Sequence, residues 1–222
     1  MTQKIVVKIC AVIMGASGFI ILFSTLFPIF SYEWEAAQKY PTLISPLVDE
    51  EKGSFVFSGS DYTKASNWFP AKKDSEIVDN GVSIFTISVP DLNIDNALVR
   101  VGGEDLSESL VLFRGTALPG QKGNAVIFGH SILPQYYDPK NYLSIFSTLP
   151  TMEKGGLIYA NYDGIVYTYK VKDMFEVKPT DVAILDQNVQ GHYITLVTCT
   201  PPGHPLKPKR LIVRAELIPT DI

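Results

Sequence analysis

The chain has 222 residues, with 19 Lys and Arg against 23 Asp and Glu and a formal net charge of −4, so it has room for one sizeable domain and an appendage. No Lys/Arg cluster is interleaved with aromatics, which argues against a nucleic-acid partner. The two cysteines, Cys10 and Cys199, fall in no CxxC, Cys/His or HExxH spacing, which argues against zinc.

Residues 9–30 (ICAVIMGASGFIILFSTLFPIF) carry no charge over 22 positions, enough to cross the roughly 30 Å hydrocarbon core as a helix. Pro28 lies near the far end, where it costs least, and Phe27, Phe30, Tyr32 and Trp34 form an interfacial aromatic belt. The run is longer than the ~7–15-residue core of a cleaved signal peptide and has no A-x-A-like exit. Lys4 and Lys8 precede it and Glu33 and Glu35 follow, so the amino terminus is expected in the cytoplasm and the rest outside. Cys199 is then an exported thiol separated from Cys10, in a compartment where structural cysteines are normally paired.

Residues 31–80 read as an extracellular stalk, with scattered Pro, Gly, Ser and charge and one helical turn near Glu33 to Tyr40. Within it, Trp68-Phe69 is expected to pack on the domain or cover a groove. The folded domain is expected over 81–222. Strands are read at Val82 to Val89, Ala97 to Val101, Leu110 to Phe113 and Ala125 to Phe128, with a short helix at Leu143 to Thr148. Leu157 to Asn161 and Ile165 to Val171 flank Asp163-Gly164, a hairpin signal, and Ile165, Tyr167, Tyr169 and Val171 share one face. Met174 to Val177, Tyr193 to Thr198 and Leu211 to Leu217 complete about seven to nine short strands without a βαβ rhythm, which argues for a barrel or sandwich.

Cys199 ends a β-branched run, Tyr193-Ile-Thr-Leu-Val-Thr-Cys-Thr200, before a Pro/Gly-rich loop. A reactive thiol needs a nearby base or cation. His130 follows a strand directly and ranks first as the base. His204, in the loop after Cys199, ranks second, and His192 lies at the far end of the same strand, roughly 20 Å away at 3.3 Å per residue. Arg210 and Arg214 share a face of the last strand, and Arg210 is nearer the loop and so nearer Cys199.

Thr195-Leu-Val-Thr-Cys-Thr-Pro201 resembles the TLxTC signature of sortases, the membrane-anchored cysteine transpeptidases of bacterial surfaces. Leu118-Pro-Gly120 followed by Gly123-Asn-Ala-Val-Ile-Phe-Gly-His130 resembles the segment that carries their histidine, and Arg210-Leu-Ile-Val-Arg-Ala resembles their arginine strand. The resemblance runs from about Val82 onward. It implies a mainly β fold, a sortase-type β-barrel of about eight strands with short helices after an N-terminal transmembrane helix. It also implies that Cys199 attacks an LPxTG-like sorting signal in a surface protein and forms a thioacyl-enzyme. His130 would be the general acid/base, Arg210 would hold the oxyanion, and Thr198 would help position the substrate. An amine, from a peptidoglycan precursor or a pilin lysine, would resolve the intermediate at the bacterial membrane. No cofactor is implied, and no acidic cluster maps onto a class-A-like calcium site, so no metal is expected.

Cys-Thr-Pro after the signature resembles the pilin-polymerising class, but neither an Asp-Pro-aromatic lid motif nor a second membrane span after Leu217 is found. Two other readings stand beside this one: an exported cysteine peptidase that hydrolyses a related signal, and a membrane-tethered β binding domain with an inert cysteine. The SxGCxR-type signature of L,D-transpeptidases is absent.

Overall fold

The computed structural model describes residues 2–40, 61, 63–69, 84–187 and 189–219. These fall into two units, one ending at Lys39 and one starting at Tyr40. The first is a single helix, α1 (Thr2–Lys39), long and apolar enough to cross a membrane. Its serines and threonines do not break it. Ser17 Oγ and Ser24 Oγ donate to carbonyls one turn back, and Thr25 Oγ1 does the same, which lets polar side chains sit on an apolar helix. The stretch expected as a stalk is therefore divided. Its first residues extend α1, Tyr40, Asp61 and residues 63–69 belong with the second unit, and 41–60 and 70–80 lie outside the described residues.

The second unit is built on eight strands: β1 (Ile84–Val89), β2 (Ile94–Val101), β3 (Leu110–Leu112), β4 (Gly123–Phe128), β5 (Leu157–Tyr162), β6 (Ile165–Val177), β7 (His192–Thr200) and β8 (Lys209–Leu217). They close into a barrel in the order β1-β2-β3-β4-β7-β8-β6-β5. β2/β3 and β4/β7 pair in parallel and the other neighbours are antiparallel. The two runs read as separate strands at Ile165 to Val171 and Met174 to Val177 are one strand, because a bulge between Val171 and Asp173 absorbs the break in alternation. The expected helix at Leu143 to Thr148 is a series of turns that leads into a 3-10 turn at Leu149–Thr151.

β4 is buried at all six positions and β7 from Ile194 to Thr200, so both faces of this part of the sheet are covered. Strand alternation sorts the two faces. Ala125, Ile127, Ile194, Leu196 and Val213 lie on one. Val126, Phe128, Val197, Cys199 and Ile212 lie on the other, in a cluster with Trp68, Phe69, Ile184 and Leu185. Trp68 and Phe69 are fully buried there. Their segment is fixed by backbone hydrogen bonds, Ala65 N to Glu104 O at 2.9 Å and Leu106 N to Thr63 O at 2.8 Å. Of the two roles expected for this aromatic pair, packing on the domain is the one observed, and the surface that receives it is the Cys199 face.

Candidate active site

The β7–β8 register sets Cys199 directly opposite Arg210. Parallel pairing of β4 with β7 runs from Gly123/His192 to Phe128/Val197, so both strands point the same way and their carboxyl ends meet. His130 lies two residues past the last β4 pair and Cys199 two past the matching β7 residue. The fold thus gathers three residues that the sequence spreads over 81 positions. His192 sits at the other end of β7, opposite Gly123, with Nδ1 2.9 Å from Gly120 O. His204 lies in the β7–β8 loop, where its Nδ1 accepts from Leu206 N–H. Arg214 is paired opposite Thr195, with Nε 3.4 Å from Thr195 Oγ1.

Past Phe128 and Val197 the ladder gives out, and buried hydroxyls continue it. Gly129 N–H still donates to Val197 O (3.1 Å). Thr198 Oγ1 then donates to Gly129 O (2.9 Å), and Ser131 Oγ donates to Cys199 O (2.8 Å). Both neighbours of His130 are therefore tied to β7 beside the sulfur. The imidazole Nδ1 accepts from Ser131 N–H at 3.1 Å, which assigns the proton of the neutral ring to Nε2. Gly129 is required by close approach: a Cβ there would lie 2.3 Å from Phe146 and 2.7 Å from Leu110. Ser131 and Gly129 were both missed as site residues in the sequence, although both flank His130.

Arg210 is 1% exposed. Its Nη1 donates to the Lys207 carbonyl (2.9 Å) and the Lys209 carbonyl (3.1 Å), and its guanidinium lies 5.3 Å from the Trp68 ring centre. The same indole meets His130 edge-on at 6.4 Å and stacks on Phe128 at 5.3 Å. Trp68 therefore lies against both His130 and Arg210, and Cys199 is left 1% exposed.

Burial dominates the electrostatics. It pushes the Cys199 thiol above its ordinary range, against the attraction of Arg210 and Lys207. It also lowers His130 to about 4, helped by the Lys207 charge and opposed by Asp61. The site at neutral pH is a thiol beside a neutral imidazole. Lys207, half-buried in the β7–β8 loop, is a second cation here that motif reading did not single out.

The 3-10 turn Val182–Leu185, in the loop between β6 and β7, packs into the cluster that holds Cys199. Gln187 anchors it. Its Oε1 accepts from Ala117 N–H (3.1 Å) and Asn124 N–H (3.0 Å), and its Nε2 donates to Asn124 O and Leu185 O (both 3.0 Å). Asn124 Nδ2 adds a bond to Ile184 O at 3.0 Å. All four hydrogen-bonding positions of the Gln187 amide are used.

The closed eight-strand barrel collects Cys199, His130 and Arg210 where the carboxyl ends of β4 and β7 meet. The family profile described as Sortase domain matches residues 87–218, and the chain belongs to the sortase family. It is 29% identical over 132 residues to Sortase A of Streptococcus agalactiae, covering 59% of this chain and 51% of that protein. It is 35% identical over 77 residues to Sortase A of Staphylococcus aureus, 34% of each. The matches thus span about half, or less, of these relatives' length. Among solved structures it resembles a Clostridium perfringens sortase D5 transpeptidase (TM-score 0.53, 27% identity, 65% of this chain and 83% of that one). It also resembles sortase C-1 from Streptococcus pneumoniae (TM-score 0.53, 27% identity, 61% and 67%).

Proposed function

We propose that this chain is a transpeptidase that cleaves an LPxTG-like sorting signal and transfers the upstream protein to an amine. The observation that carries the reading is the Cys199–Arg210 pairing in a buried site whose other wall is His130. A binding domain with an inert cysteine would also bury the thiol, but it has no use for a guanidinium desolvated directly opposite.

In the first half-reaction the sulfur attacks the carbonyl carbon of the scissile amide. The C–S bond forms, the C–N bond breaks, and the thiol proton ends on the leaving amine with His130 as carrier. The Arg210 guanidinium faces the negative charge that develops on the carbonyl oxygen. In the second, an amine attacks the thioester, the C–S bond breaks, and the amine's proton returns to the thiol through His130. Thr198 acts on this chemistry through Gly129, since its hydroxyl is committed to that carbonyl. Trp68 and Phe69 pack in the cluster that buries Cys199, so an acyl donor that reaches the sulfur displaces them.

The α1 helix would hold the barrel at the outer membrane surface with Lys4 and Lys8 inside, where surface proteins still tethered to the membrane and a lipid-linked or pilin amine are concentrated. The test is cleavage of fluorogenic sorting peptides. Cys199→Ala should abolish it, and His130→Ala and Arg210→Ala should each lower kcat/KM by roughly 10²–10⁴. Retained cleavage in Cys199→Ala would refute the mechanism.

A further inference from the structure

Glu176 is a buried carboxylate on β6 that the chemistry above does not use. Its Oε1 accepts from Thr200 Oγ1 at 2.8 Å and its Oε2 pairs with Lys209 Nζ at 3.1 Å. Thr200 and Lys209 face each other as the last pair of the β7–β8 ladder, and Cys199 and Arg210 are the pair before it. Strand alternation sends the Thr200 and Lys209 side chains to the face opposite Cys199 and Arg210. Glu176 therefore grips the end of the ladder from behind.

Beyond that last pair the chain enters the loop of residues 201–208. End pairs of a ladder open first, and here opening would reach the reactive pair next. Arg210 is doubly dependent on this end, because its Nη1 is aimed by the carbonyls of Lys207 and Lys209. Packing alone does not call for a carboxylate at position 176, since an apolar residue would avoid the cost of desolvating a charge.

We propose that Glu176 is a positioning residue of the site: by holding Thr200 and Lys209 it fixes the Cys199–Arg210 pair, so that the guanidinium stays aimed at the sulfur and at the oxyanion formed there. The kinetic half of this proposal rests on the transpeptidase reading, and the half that concerns the thiol does not.

The test uses the full chain in detergent micelles with Cys10→Ala, so that a 13C-labelled cysteine reports Cys199 alone. Three variants are compared, Glu176→Gln, Lys209→Met and Thr200→Val, each checked for folding by near-ultraviolet circular dichroism. Through-space charge alone moves the Cys199 titration in opposite directions: down when the carboxylate of Glu176 is removed, up when the ammonium of Lys209 is removed. Loss of positioning moves both up, because each frees Arg210 from the thiolate. We expect both up, with kcat for sorting-peptide cleavage lowered about tenfold and KM within about twofold in Glu176→Gln. In that background Thr200→Val should add little further loss. Opposite shifts, or a folded Glu176→Gln with unchanged kcat, would overturn the proposal. If Glu176→Gln fails to fold, Thr200→Val and Lys209→Met carry the same kinetic reading with smaller losses. If the parent chain cleaves no sorting peptide, the transpeptidase reading fails while the titration still decides the role of Glu176.

Discussion

Burial favours the uncharged forms of Cys199 and His130, and for His130 this has a consequence for stability. His130 is depressed from 6.5 to about 4, so between those values the unfolded chain takes up a proton that the folded state resists. Its contribution is complete above pH ~6.5 and is lost as the pH falls through about 4, up to about 3 kcal/mol. His130→Gln should remove that part of the acid destabilisation. Thermal midpoints of the two proteins should converge as pH is lowered from 6.5 to 4, and parallel curves would show that the imidazole is not held neutral. At this scale the sequence was informative wherever chemistry and motif coincide, as at Cys199, His130 and Arg210. It was silent on Ser131, Glu176 and Gln187, because nothing local marks a serine, a glutamate or a glutamine whose partners lie tens of residues away.

Two elements pack with Cys199 in one buried cluster, and they are held differently. The Val182–Leu185 turn is bolted to β4 by Asn124 and Gln187. Gln187→Ala would leave partly buried backbone groups of Ala117, Asn124 and Leu185 unpaired and should cost about 1–3 kcal/mol. Hydrogen exchange over residues 182–187 should quicken accordingly, and unchanged protection there would show that packing alone holds the turn.

The Trp68–Phe69 segment is held by its two buried rings and by the backbone hydrogen bonds at Ala65 and Leu106. Each ring buries roughly 150–250 Å², worth about 4–6 kcal/mol before costs. Ordering the backbone of residues 63–69 costs about 1–2 kcal/mol per residue. The two are of similar size, and the backbone hydrogen bonds to Glu104 and from Leu106 add to the first. Trp68→Ala should raise the alkylation rate of Cys199 by about tenfold or more in a Cys10→Ala background. An unchanged rate would mean that Trp68 does not limit access. The strands themselves were legible from period-two alternation. The Trp68–Phe69 contact was only half legible, because an apolar pair within a polar stretch announces burial without naming the surface that receives it.

For the whole molecule, α1 and the barrel are separate units with separate tasks. An uncharged run of 22 residues specifies the helix, and barrel closure follows from strand order, which sequence periodicity cannot supply. Parallel pairing of β4 with β7, across an intervening hairpin, brings His130 to Cys199, an arrangement hinted at by the place of both residues at strand ends and by the motifs. The central claim is that this arrangement forms an acyl-enzyme. Intact-mass spectrometry of the full chain with a sorting-peptide library tests it most directly. The expected product is a thioester adduct on Cys199 with the mass of the peptide's upstream fragment, discharged by an added amine. Peptide cleavage with no such adduct, or an adduct that survives in Cys199→Ala, would contradict it.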